Sequence, residues 1–165
     1  MPDTSYQNLL DAVLDSWDRN NTILVNLLSA LPENVMEIRG TESSPTIAQL
    51  FAHMHYVRLV FVLEDAPEFA APLPEKEWLA EHDRARIAEM LQASAITVRQ
   101  AVKSRLESGR AMDQHYGHPI LLLQHMIWHE GYHHGQIKLA LKAAGLPLDD
   151  EIVGPLTWGI WMDKT

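Results

Sequence analysis

The chain contains no cysteine. That removes disulfides, thiolate metal ligands and any cysteine nucleophile of the protein's own. Basic residues are scarce: 13 Lys and Arg stand against 22 Asp and Glu, giving a formal net charge of −9. A field of that sign repels phosphate backbones and anionic membrane surfaces, so neither nucleic acid nor membrane is expected as a partner. No apolar run approaches the roughly 18–20 residues of a membrane span. The first ten residues carry Asp3 and no basic segment, so they do not read as a signal peptide, and the cytoplasm is the expected compartment. Strand signals are missing too, with no sustained alternation and no Asn-Gly turn. Nine prolines and eight glycines cluster between apolar stretches rather than inside them.

What is present is an ordinary globular balance, 47% hydrophobic and 21% charged, over 165 residues. That length suits one domain with a proper core, residues 1–165. Four long helices are expected. The first covers about Ser5 to Ala30, where Thr4 and Gln7 fit a capping box and Pro32 closes the segment. The second starts with Ser44 as N-cap and Pro45 at the first helical position, and runs to about Glu64. A long connection, Asp65 to His82, carries Pro67, Pro72 and Pro74, and Glu75 to Glu81 suits a short extra helical turn. The third helix covers about Asp83 to Glu107. The fourth runs from His118-Pro119 to Ala144, with Gly145 as its left-handed cap and Pro147 beyond it. The expected fold class is all-α, a four-helix bundle occupying about 5–147 with a tail at 148–165. The long second connection suggests a crossover, with helices two and three parallel. Trp158, Trp161 and Met162 in the tail need a cover, either one end of the bundle or a second copy.

Nine histidines are the unusual feature, and four of them fall between His125 and His134. His125, His129 and His133 are four apart, which stacks them on one helix face. Taking about 100° per residue, Leu122, Met126, Gln136 and Ala140 lie within roughly 60° of His129, so this face points into the bundle. His134 projects roughly 140° away and is expected outside. Buried imidazoles without partners are costly, and a metal ion can take up their lone pairs. His129 and His133 have the spacing to close on one ion, as in zinc-binding helices with two histidines at i and i+4. A third ligand should come from the facing helix. His53 is nearer the core than His55 and is preferred. Three histidines without thiolate leave open coordination positions, the pattern of a reactive centre. His125 fits a supporting donor or a pocket residue better than a ligand. Gln136 sits one turn beyond His133, where helix packing alone would account for it. Gly135 suits close helix approach. Glu130 reads as a partly exposed residue with a secondary chance of acid–base or supporting work. His82, His115 and His118 are expected to be solvated, and the tryptophans to be core or interface residues.

The segments Ala52-His53-Met54-His55-Tyr56-Val57-Arg58 and His129-Glu130-Gly131-Tyr132-His133-His134-Gly135-Gln136-Ile137 resemble the DinB/YfiT-like superfamily. The resemblance spans about Tyr6 to Pro147, and its most specific part is the His-x-x-x-His-x-Gly-Gln pattern. It implies a DinB-type four-helix bundle in an up-down-down-up arrangement, often dimeric, with a divalent ion, nickel or zinc, on His53, His129 and His133. Where many members carry Arg, this chain has His134. Relatives include transferases and isomerases that use low-molecular-weight thiols, and others described as metal-dependent hydrolases. The implied function is therefore a metal-dependent thiol transferase, isomerase or hydrolase acting on a small molecule, in a homodimer. With no cysteine in the chain, a thiol would arrive as a cofactor. Arg58, Arg84 and Arg86 are the groups suited to grip such a cofactor's anionic parts. The alternative is a non-catalytic metal-binding or stress-response protein in which the ion is structural.

Overall fold

The computed structural model describes residues 4–164, apart from the side chain of Thr4, and is all-helical over that range. Four long helices, α1 (Thr4–Ala30), α2 (Ile47–Asp65), α3 (Arg84–Glu107) and α4 (Pro119–Ala143), are followed by a short α5 (Asp150–Leu156). The cap expected at Thr4 lies outside the described residues. No helix among them is long and apolar enough to cross a membrane.

The start of α2 differs from the expectation. Thr46, not Ser44, is the N-cap: its hydroxyl accepts from Gln49 N, and Gln49 Oε1 accepts from Thr46 N. Two contacts explain the shift. Ser44 Oγ is taken by Thr41 Oγ1 at 2.6 Å, and Ile47 N is tied to the Ile38 carbonyl at 2.9 Å, which holds Thr46 extended. Asp83 caps α3 by accepting from Ala85 N and Arg86 N. His118 caps α4, with Pro119 at the first position. At the far end Gly145 has φ +77°, and Leu146 N bonds Leu141 O while Gly145 N bonds Lys142 O. That is the paired bonding of a glycine-terminated helix, which only a residue free to adopt positive φ closes without strain. In the crossover, 66–83, the one helical piece is a 3₁₀ turn at Pro67–Phe69. The turn expected over Glu75–Glu81 does not form a helix.

α1 packs on α3 and α4, and α2 packs on the same two, so α1 and α2 face each other diagonally. Trp17 Nε1 donates to Ala95 O at 2.9 Å, and Asn21 Nδ2 to Gln92 Oε1 at 2.9 Å, which fixes α1 against α3. α2 is buried around most of its circumference, including Leu50, Phe51, Met54, Leu59 and Val62. Two apolar clusters result. One joins Leu24, Leu27, Leu28, Phe51, Leu91 and Ile137; the other joins Trp17, Val62, Val98, Val102, Leu122 and Met126. Each such side chain contributes about 1.5–3 kcal/mol when fully buried.

Between the clusters lies a polar layer drawn from all four long helices. Arg58 and Glu130, both fully buried, form a bidentate pair at 2.5 and 2.8 Å. Asn20 Nδ2 donates to the same carboxylate at 2.5 Å. Arg58 Nη1 reaches Asn21 Oδ1 at 2.9 Å and Leu91 O at 2.8 Å, and the guanidinium lies 4.8 Å over the Trp17 ring. The expectation that Glu130 is partly exposed is therefore corrected: an arginine on the facing helix draws it inside. The same pair removes Arg58 from any role in gripping a cofactor. Arg84 is likewise occupied, donating to the carbonyls of Leu31 and Pro32.

The tail folds back on α1. Asn26 Nδ2 donates to Leu156 O at 2.7 Å, and Arg19 to Ile160 O. Gly154 lets the Trp158 ring lie close over the backbone there, where a Cβ would come within 2.9 Å of it and push the ring away. Trp158, Trp161 and Met162 still keep large exposed areas.

Candidate metal centre

α2 and α4 pack together, and the Arg58–Glu130 pair holds them from a point five residues beyond His53 on α2 and one residue beyond His129 on α4. His53 from α2 and His129 and His133 from α4 converge, with one nitrogen of each within 4.8 Å of the others. His53 Nε2 and His133 Nε2 are each 3.0 Å from His129 Nε2. The rings of His129 and His133 stand nearly perpendicular, 4.4 Å between centroids, as do those of His53 and His133 at 4.8 Å. His53 and His133 are buried and His129 is half-buried.

The opposite ring nitrogens decide the protonation pattern. His133 Nδ1 lies 2.7 Å from Gln136 Oε1, an acceptor, so the proton sits on Nδ1 and Nε2 presents a lone pair. Gln136 Nε2 donates in turn to the Tyr132 hydroxyl at 3.1 Å, which sets the amide's orientation. His53 Nδ1 is 2.8 Å from a Glu77 carboxylate oxygen, an ion-pair distance without hydrogen-bond alignment, and the negative charge there favours a proton on Nδ1. His129 Nδ1 is buried without a hydrogen-bond partner among the described residues. A single His129 Nε2 proton can satisfy one neighbour and not both, because an imidazole nitrogen has one in-plane site. Three inward nitrogens thus hold more lone pairs than protons. A cation at their common point resolves this, and the donor set suits an ion of nickel or zinc type.

The electrostatics keep those lone pairs free. Burial lowers the His129 pKa to about 3, helped by His133, His53, His125 and Arg58. Burial also lowers His133, against the opposing pull of Gln136 and Glu130. His53 is lowered by burial and by His133, and Glu77 acts the other way.

The remaining candidates are distributed as follows. His125 lies next along α4, its ring edge-on to His129 at 6.4 Å, and its Nδ1 is 2.6 Å from the Tyr116 hydroxyl. Burial, with Asp65 and Glu64 nearby, pushes the Tyr116 pKa up to about 12, so the phenol remains a donor. His55 is buried on the other side of α2 and does not join the three. His134, expected outside, is half-buried, and burial, with Lys138 nearby, lowers its pKa. Gly135 does not serve close helix approach: a Cβ there would meet nothing within 4 Å. His115 is exposed but not merely solvated, since it is paired with buried Asp65 at 2.8 Å. His82 is paired with Glu37.

Two residues escaped the sequence reading. Trp78, in the crossover, stacks on His53 with centroids 4.1 Å apart and planes 4° from parallel. Its neighbour Glu77 supplies the carboxylate on His53. No periodicity governs an irregular connection, so neither carries a signal beyond closeness to the prolines that keep the segment extended.

These features define a class: all-helical proteins that bring histidines from two facing helices to a point able to hold a metal ion. The chain belongs to the DinB family, whose model matches residues 1–149. No curated protein and no solved structure shows a significant match to the chain.

Proposed function

We propose that this DinB-family protein is a divalent-metal-dependent enzyme, with His53, His129 and His133 holding one nickel or zinc ion. The observation that carries the reading is the surplus of inward lone pairs over protons at the three Nε2 atoms. A bound ion would polarise a substrate and make a coordinated thiol or water acidic near neutral pH. The chain's own residues prepare the site. Gln136 holds the His133 ring in the metal-accepting tautomer, the Glu77 charge beside His53 Nδ1 favours the same for His53, and burial lowers the pKa of all three. The Tyr116 hydroxyl, 2.6 Å from His125 Nδ1, holds the His125 ring beside the three histidines, where its other nitrogen would be placed to exchange a proton with a small-molecule substrate. The reaction classes that fit are thiol transfer or isomerisation with a low-molecular-weight thiol, which the cysteine-free chain does not supply, and hydrolysis.

The same reading takes residues 1–165 as one domain with the up-down-down-up order. The cross-helix pairs support this: Trp17 with Ala95 and Asn21 with Gln92 run α1 against α3, while His53 with His133 and Phe61 with His125 run α2 against α4. It also takes the protein as a homodimer. Support comes from an uncovered apolar stripe on α4, where Trp128 is 71% and Leu139 64% exposed and Tyr132 stacks beside Trp128.

One observation favours the second reading, a non-catalytic metal-binding protein. Trp78 covers one face of His53, as a closed structural centre would have it. The test is elemental analysis of untagged protein beside His53→Ala and His129→Ala. About one nickel or zinc per chain, lost in both variants, is the expected result. Thiol-transfer and hydrolysis assays on the loaded protein then separate the two readings. Protein that neither contains metal nor gains stability from added zinc or nickel makes the histidines a polar cluster and removes both.

A further inference from the structure

We propose that a second site, the cavity between α2, α3 and the crossover, binds a small organic carboxylate. The cavity measures about 340 Å³, within the range of small-ligand sites. None of the three metal-centre histidines lines it. Its walls are largely apolar, with Leu73 and Leu79 from the crossover and Met90 from α3. Its polar groups are His55, Lys76, Glu81 and Arg86.

Two features point to the ligand's chemistry. The first is charge: two cations face one carboxylate, in a chain of net charge −9. Arg86 is engaged by Glu81 at 3.1 Å, whereas Lys76 has no carboxylate within ion-pairing distance among the described residues. One uncommitted cation suits a single negative charge. A dianionic phosphate would want more donors than the rim offers. The second is the lining itself, with Leu73, Leu79 and Met90, which accepts a short apolar body behind the carboxylate.

The site is distinct from the metal centre because His53 and His55 are two residues apart on a helix, and so project roughly 200° from each other. Glu77 and Trp78 close the His53 side, while Lys76 and Leu79 close this one. The inference therefore stands whether or not the histidines hold a metal.

The test is a titration of the full chain with hexanoate, followed by backbone amide NMR, with hexan-1-ol and hexylamine as controls. Saturable shifts are expected at Ala52, His55, Leu79, Ala80 and Met90, with a Kd on the order of 1 mM for a ligand of about eight heavy atoms. The amine should not bind. Lys76→Glu should weaken hexanoate about fivefold or more, and Arg86→Gln less, since Glu81 already engages that arginine. Both positions are at the surface, so neither change threatens the fold. Chelation should leave the shifts unchanged. The proposal is overturned if no saturable shift occurs at those amides, or if Lys76→Glu binds undiminished. It is overturned equally if the shifts gather at Glu77, His129 and His133 and vanish on chelation, which would place the acid on the metal instead.

Discussion

Replacing Arg58 by Met leaves Glu130 as a carboxylate with no exposed surface, one remaining Asn20 hydrogen bond and no counter-ion. Breaking a buried pair in this way costs about 3–5 kcal/mol, because the abandoned charge stays desolvated. A chain of this size has roughly 5–15 kcal/mol of total stability, so the variant should lose about a fifth of it or more. For a domain of 150–250 residues that is a fall in Tm of roughly 6–20 °C. Glu130→Leu should cost a similar amount, since it strands the guanidinium with only Asn21, Ser94 and the Leu91 carbonyl. The double variant Arg58→Met/Glu130→Leu should cost much less than the sum, because no charge remains to be stranded. Urea unfolding followed by far-UV circular dichroism, in chelator so that metal linkage does not enter, measures all three. A single variant that loses less than about 1 kcal/mol, or a double variant as unstable as the summed singles, would refute the account of this layer as a coupled ion pair.

The metal-free protein should become less stable in mild acid. The folded pKa values of His53, His129 and His133 are all lowered, so the unfolded chain binds more protons and stability rises with pH. Full stability is expected above the unfolded value near 6.5, with progressive loss as pH falls toward the folded value of about 3 for His129. Urea midpoints at several pH values check the sign, and His129→Ala should flatten the dependence. Gln136→Ala frees His133 to turn or change tautomer and should weaken zinc or nickel binding about 10–100-fold with little change in the metal-free urea midpoint; competition against a chromophoric chelator reads this, and undiminished affinity would count against Gln136 as the group that sets the ring. Trp128→Glu should shift sedimentation from dimer to monomer. A monomeric parent, or a variant that stays dimeric, would assign the α4 stripe some other role.

How far the sequence was legible depends on whether the deciding contact was local. His129 and His133 announce themselves through the four-residue spacing, and His53 through its place on an apolar helix, because periodicity alone puts each of them on a face. The cap of α4 at His118-Pro119 and its end at Gly145 are local as well. Glu130 is the opposite case. Its burial follows from Arg58, 72 residues away, and a charged residue following a histidine otherwise reads as surface. Thr46 displaced Ser44 as cap because a distant backbone bond from Ile47 to Ile38 fixed the extended residue. Glu77 and Trp78 belong to a connection with no repeat, and their approach to His53 depends on how the crossover drapes over α2.

That drape gives the protein a reporter of its own. The chain has five tryptophans, at 17, 78, 128, 158 and 161, and one of them lies flat against a ring of the histidine trio. Light absorbed by Trp78 is emitted or lost according to what occupies the space beyond His53. A nickel ion there would be an efficient quencher and a zinc ion a poor one. Added nickel would then be read as a fall in intrinsic fluorescence that shrinks in Trp78→Phe, in which only the other four tryptophans emit.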